Sequence, residues 1–231
     1  MDRVLDLESA GIYLVVAFAG VFIVWYFAGA YLTRRRLGSA ARWVYRGLDV
    51  YRDPRPDRTR ASIKWLATNA FNIVLERPRA PLSEVVVTVL LQSRDMMTVW
   101  VFDRFTGRRD LVMLRFDLKR QPIWGIEIFR RRSLLAGDSR RTAKEEGWEV
   151  AASDDAALLA AHGGGKAGDL CRELLDALGD DRRHLVRLSV RRQSPHLTVA
   201  MDLPDPDASD PADLMRLCDR LATVTLDYAT R

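Results

Sequence analysis

The chain has 231 residues and a formal net charge of +5, and residues 33–231 suffice for one soluble domain with a sizeable core, or two very small ones. Its two cysteines, Cys171 and Cys218, argue against a disulfide framework; both sit among leucines at helical spacing and are expected to be buried structural thiols. The charge is unevenly placed: residues 1–32 carry one basic and three acidic side chains, residues 33–60 nine and three, residues 61–147 sixteen and ten, and residues 148–231 ten and fifteen.

Residues 1–10 form a short polar start with Asp2, Asp6 and Glu8 against Arg3. From Gly11 to Leu32 no charge appears, and 22 residues at 1.5 Å each span roughly 33 Å, one bilayer core. A cleaved signal needs a basic start and a shorter apolar core, whereas here the arginines follow the run. Residues 11–32 are therefore expected to be a permanent transmembrane helix. Arg34, Arg35, Arg36, Arg42 and Arg46 follow it, so the positive-inside rule places the N-terminus outside and the rest in the cytoplasm. Trp25, Tyr26 and Tyr31 suit an interfacial aromatic belt or are simply bulky apolar residues. Ala28-Gly29-Ala30 offers a place for a neighbouring helix to approach closely.

Leu37, Ala41, Val44, Leu48 and Tyr51 recur at steps of three and four with arginines between, which predicts a basic amphipathic helix beyond the span. Pro54 and Pro56 then make a linker, so residues 33–60 are a juxtamembrane segment and residues 61–231 the cytoplasmic domain. Phe71, Ile73 and Leu75 alternate as in a strand. Leu82, Val85, Val86, Val89 and Leu90 follow helical spacing with Pro81 in a first turn, which predicts a helix. "MMTVWVFD", "LVMLRFD" and "IWGIEIF" read as strands, the first two joined around Thr106-Gly107. Residues 131–147 show no apolar period and are expected to be a long exposed loop.

Ser153 can cap a short helix ended by Gly163 to Gly165, and a second helix is expected from about Gly168 to Leu178. "HLVRLSVR" and "HLTVAMDL" predict a hairpin around Gln193-Ser194-Pro195. The last segment predicts a helix with Pro211 in its first turn and Leu214, Leu217, Leu221 and Val224 on one face. The whole is an α+β chain: one transmembrane helix, then a mixed, largely antiparallel α+β domain.

No catalytic residue is assigned. "HGGGKAG" lacks the Ser or Thr after lysine that a P-loop needs, and no Gly-x-Ser-x-Gly elbow accompanies its glycines. His162, His184 and His196 are far apart and no metal spacing occurs. "DLPDPDASDPAD" lacks the glycine and closing glutamate of an EF-hand and reads as a solvated loop with an acidic helix start. No metal and no cofactor is expected. The candidate binding residues are basic: Arg34, Arg35, Arg36, Arg42 and Arg46, with a second patch at Arg130, Arg131, Arg132, Arg140 and Arg141. Either anionic lipid, at about 1 kcal/mol per charge near the surface, or RNA phosphate would suit them.

The order of segments resembles the calumin family of coiled-coil-domain-containing endoplasmic-reticulum proteins, subunits of the PAT complex in the multipass translocon. The likeness runs through "WYFAGAYLTRRRLGSAARWVYRGLDVY", "FNIVLERPRAPLSEVVVTVLLQSRDMMTVWVFD", "HLTVAMDLP" and "DLMRLCDRLATVTLDYA" and covers most of residues 12–228 as order and pattern. The family's acidic lumenal region and basic coiled-coil tail are expected to be missing, so calcium buffering and coiled-coil ribosome contact are not carried over. The resemblance implies a non-enzymatic, chaperone-like accessory factor of membrane-protein insertion and folding. Its partners would be a Sec-type translocon or insertase, multi-spanning clients and, through the arginines, anionic lipid or the ribosome. The alternative is a membrane-tethered scaffold or signalling adaptor that binds only proteins.

Overall fold

The computed structural model describes residues 2–53, 59–133, 135–153 and 157–229, with side chains from Gly11 onward. The linker expected at Pro54 and Pro56 lies outside the described residues. Helix α1 (Asp2–Gly47) runs unbroken for 46 residues, about 69 Å at the helical rise. Over residues 11–24 every side chain is exposed, and this helix is long and apolar enough to cross a membrane.

The same helix then changes character without a break. Leu37, Ala40, Trp43 and Val44 are buried and share one face at helical spacing, while Arg34, Arg35, Arg42 and Arg46 are exposed. A 3-10 turn, Leu48–Tyr51, follows and buries both its ends. The expected amphipathic helix is therefore present, but its apolar face closes the protein's own core. Tyr51 donates its hydroxyl to the Met215 carbonyl at 2.7 Å, and the Trp43 indole N–H donates to the Ser209 carbonyl at 2.9 Å. Burial raises the Tyr51 pKa well above its ordinary value, so this phenol stays a donor.

Among the described residues nine strands form one sheet: β1 (Arg60–Ala67), β2 (Ala70–Glu76), β3 (Leu82–Leu90), β4 (Leu111–Leu118), β5 (Ile126–Arg130), β6 (Glu149–Ala152), β7 (Leu158–His162), β8 (Leu185–Val190) and β9 (Leu197–Asp202). Their order is β1-β2-β3-β4-β9-β8-β5-β7-β6, and all eight pairings are antiparallel. Four further helices are α2 (Met97–Phe105), α3 (Ala136–Glu145), α4 (Lys166–Leu178) and α5 (Pro211–Ala229).

The two-residue period of a strand puts Val85, Val87 and Val89 of β3, Val112, Leu114 and Phe116 of β4 and Leu197, Val199 and Met201 of β9 on one face. There they meet α4, α5 and the end of α1 in a single core. Leu214, Leu217 and Leu221 line the buried side of α5, as their spacing predicts. Cys171 and Cys218 are free and buried in this layer. Burial pushes the Cys171 thiol up to about 11 and raises Cys218 further, so neither is a thiolate near neutral pH.

The opposite face holds a charged group wholly inside. Glu127 is fully buried on β5 and accepts from Arg187 at 3.0 and 2.9 Å, Arg191 at 2.9 Å and Ser189 at 2.6 Å. Desolvation alone would raise its pKa, but the hydrogen bonds and charge of Arg187, joined by Ser189 and Arg191, outweigh it and the net shift is downward. Helix α3 is fastened to this network: Ser139 donates to Glu127 at 3.1 Å and Arg191 donates to Thr142 at 3.0 Å. Its apolar contact is small, with Ala136 joining only Phe129 and Leu159.

Four segments differ from their sequence expectations. Residues 82–90 form strand β3, because Val85, Val87 and Val89 face the helices while Val86 and Thr88 line the other side of the sheet; a run apolar on both faces mimics helical spacing. "MTVWVF" is helical in α2, docked sideways on α1. Residues 136–145 are helical, with a seam made by Ala136, Ser139 and Ala143, residues too small or polar to show as an apolar period. The segment after Trp148 is the β6-β7 hairpin, so Gly163 to Gly165 end a strand and lead into α4. Strand β1 was not foreseen. It lies at the sheet edge with Ile63, Trp65 and Leu66 exposed.

Candidate membrane-proximal interface

The chain leaves β3 at Leu90 and returns at Leu111, and the segment between them packs back against α1. It is pinned at its start, where Leu91 N–H donates to the Asn69 carbonyl at 2.8 Å and the Asn69 amide donates to the Leu91 carbonyl at 2.7 Å. Its closest approach is at Gly29, where a β-carbon would overlap the Arg94 carbonyl. The small-residue triplet at Ala28 to Ala30 thus receives a loop of its own chain at Gly29. One helical turn earlier, Trp25 meets Trp100 of α2 with ring centroids 5.3 Å apart.

A buried carboxylate ties this arrangement together. The Asp110 side chain is 6% exposed and lies 2.8 Å from Arg36 Nε and 3.2 Å from Arg94. It also accepts the Gln92 backbone N–H at 2.8 Å. Asp202, at the end of neighbouring β9, holds Arg130 at 3.1 Å and Arg109 at 3.5 Å. Asp110 and Asp202 are linked through the backbone, as Leu203 N–H donates to the Asp110 carbonyl at 2.7 Å. Asp103 of α2 is buried and paired with Arg108 at 3.0 Å. A cleft of about 340 Å³ opens here, lined among others by Val99, Arg108, Arg109, Arg130 and Arg132.

The structure therefore brings part of the two sequence-predicted basic patches to one end of the sheet. Arg36, Arg130 and Arg132 belong to it, around the Asp110–Asp202 corner. Arg36 and Arg130 are already committed to carboxylates, and Arg130 also donates to the Arg183 carbonyl at 2.9 Å. Arg141 pairs with Asp138 and Glu145 on α3, and Arg42 makes only a 3.4 Å contact with Ser39. Arg34, Arg35, Arg46, Arg131, Arg132 and Arg140 are exposed and form no ion pair among the described residues. Arg46 lies twelve residues beyond Arg34, about 18 Å along α1, and Arg140 and Arg141 ride on α3, away from this corner.

Sequence reasoning missed Arg94, Arg108 and Arg109, and it missed the helix they bracket. A detectable signal was present: residues 96–102 are uncharged and largely apolar, with Arg94 before them and Arg104 after. The acidic stretch before α5 supplies the expected acidic helix start, with Asp210 accepting the Ala212 N–H at 2.9 Å, but it is not solvated throughout, since its first residue, Asp202, is buried and ion-paired.

No protein-family model matches the chain, and no curated protein matches it at a significant level. Fold and surface together define an α+β domain built onto one long helix whose first part is apolar enough to cross a membrane.

Proposed function

We propose that this protein is a non-enzymatic accessory factor of membrane-protein insertion and folding, anchored by residues 11–32 with its N-terminus outside and its domain in the cytoplasm. The observation that carries the proposal is the continuity of α1: the apolar segment passes without a break into the core at Leu37, Ala40, Trp43 and Val44. A domain joined in this way is held at one height and one angle over the bilayer, which suits a platform beside a Sec-type translocon or insertase. Arg34 and Arg35 lie just beyond the apolar run and are free to meet anionic lipid or ribosomal RNA, while Arg132 extends that basic surface. The resemblance to the calumin family supports the same reading by pattern.

A second reading is favoured by one feature, the exposed edge of β1. An unpaired strand edge with Ile63, Trp65 and Leu66 at the surface is a ready template for strand addition by a protein partner. A membrane-tethered scaffold would use it and would need no phosphate contact.

The two are separated by affinity purification of the tagged chain from mild-detergent membranes at about 50 and about 300 mM salt, a range over which phosphate contacts weaken strongly. The proposal expects translocon or insertase subunits at both concentrations, with ribosomal proteins lost at the higher one. A single unrelated membrane protein, indifferent to salt, would replace it with the scaffold.

A further inference from the structure

Helix α2 is built inside out for a surface helix. Its acidic residue, Asp103, is buried and paired with Arg108, while Val99, Phe102 and Phe105, at steps of three, face outward. Phe105 is 87% exposed, Phe102 57% and Val99 37%, and Met96 just before the helix is 59% exposed. A helix against water turns its polar residues outward; one that is apolar on its free side is covered by protein or by lipid. What covers α2 follows from where it is docked.

Trp100 rests on Trp25, and the Arg94 carbonyl closes on Gly29. Both α1 residues lie inside the uncharged run that ends at Leu32, and Trp25 is nine residues, about 14 Å, short of Arg34 along the helix. If residues 11–32 occupy the bilayer, a helix fixed at the level of residues 25–29 has nowhere to be except beside them. The charges around α2 agree with that depth. Arg94 turns to Asp110 on the domain side, and Arg108 is paired with Asp103 of α2 itself, its guanidinium lying 5.6 Å over the Phe102 ring at the edge of the apolar face. Among the described residues of α2 only Arg104 is both charged and exposed, and its long stem can carry the guanidinium to the headgroups.

We infer that α2 is a second membrane element: it lies in the leaflet on the domain's side, next to the last two turns of the apolar run, with Met96, Phe102 and Phe105 against lipid acyl chains. The inference rests on the reading that residues 11–32 span the bilayer. It makes the protein a wedge as well as an anchor, since a nine-residue helix and its aromatic rings displace lipid on one side of α1 only. A hydrophobic substrate segment or a neighbouring helix would meet perturbed lipid at that side.

The test uses the full chain with single nitroxide labels at Phe102→Cys, Phe105→Cys, Val16→Cys and Arg46→Cys, in vesicles of phosphatidylcholine and phosphatidylglycerol. Cys171 and Cys218 are buried, and wild-type chain measures any background labelling. Collision with oxygen, which concentrates in lipid, is compared with collision with a water-soluble nickel chelate. The expected result is that the labels at 102 and 105 match Val16 in favouring oxygen, with Arg46 favouring nickel. Labels at 102 and 105 that behave like Arg46, while Val16 remains in lipid, would overturn the inference and leave the span intact. Immobilised labels reached by neither reagent would overturn it in favour of a protein cover. A label at Val16 in water would sink both the span and the inference.

Discussion

Replacing Glu127 by alanine is expected to destabilise the domain by about 3 kcal/mol, the lower end of the range for removing one partner from a buried ion pair. The carboxylate is wholly buried and receives both Arg187 and Arg191. Without it Arg187, whose side chain is 13% exposed, is left with no counter-charge, whereas Arg191 at 41% can turn to water. The loss falls on α3 first, because Ser139 and Thr142 are tied to the same network. Urea unfolding of the detergent-solubilised chain, followed by tryptophan fluorescence, measures the total. Amide exchange over residues 136–145 shows whether α3 is released early.

The same residue gives the domain a pH dependence of known sign. Its folded pKa is lowered, so its contribution is fully present above the unfolded glutamate value of about 4.3. It is lost as pH falls through the lower folded pKa. The stability gap between wild type and Glu127→Gln, a neutral mimic of the protonated acid, should therefore be constant near neutral pH and shrink in acid.

Trp43→Ala is expected to cost about 3–5 kcal/mol, the range for truncating a large buried aromatic. Trp43 is fully buried in the stretch of α1 that closes the core, and its indole N–H is the donor to the Ser209 carbonyl just before α5. The substitution removes packing and hydrogen bond together. Trp43→Phe keeps most of the ring and should lose only about 1–2 kcal/mol. Beyond the lost stability, the alanine variant should loosen α1 from α5, where Gly47 approaches Met215 and Pro211 closely enough that a β-carbon would lie 3.0 Å from each. Limited proteolysis between Leu32 and Tyr51, resisted by wild type and permitted in the variant, checks the loosening, and thermal unfolding checks the magnitude.

The apolar run is legible as an uncharged stretch, and the amphipathic continuation through Val44 and Tyr51, strands β2 and β4 and helix α5 are legible because each has one buried and one less buried face. Strands β5, β8 and β9 read as strands although they are largely buried on both faces. The misread segments share a different physics. β3 is apolar on both faces, so its period of two was hidden among valines. β7 offers Leu158, Leu159, Ala160 and Ala161, all buried, and alanines read locally as helix. α3 is held by Ser139 donating to the buried Glu127 and Thr142 accepting from Arg191, an attachment that no apolar count can register. α2 reads as a strand because Thr98, Val99, Trp100, Val101 and Phe102 are β-branched or aromatic, and its docking on α1 leaves no local signal.

Much the same division holds for the interface. The arginines were visible as a charge run, but nothing in their spacing told which would be neutralised. Arg36 and Arg130 are held by Asp110 and Asp202, which lie far from them in sequence; Asp110 carries no local signal, and Asp202 reads in the sequence as the start of a solvated acidic loop although it is buried. Burial of a carboxylate within reach of several guanidinium groups is a tertiary fact. It converts two of the most prominent candidates into struts for the corner and leaves Arg34, Arg35 and Arg132 exposed.

The central claim is that the apolar helix and the domain are one rigid piece, since a hinge near Thr33 would free the domain's orientation and lift α2 away from Trp25. Pulsed electron–electron distance measurement between nitroxides at Tyr13→Cys and Arg46→Cys in lipid nanodiscs addresses it directly. Thirty-three residues of uninterrupted helix place the labels about 50 Å apart, and a single narrow peak near that distance is predicted. A broad distribution, or one centred well below it, would mean that α1 bends where it meets the domain and would contradict the account.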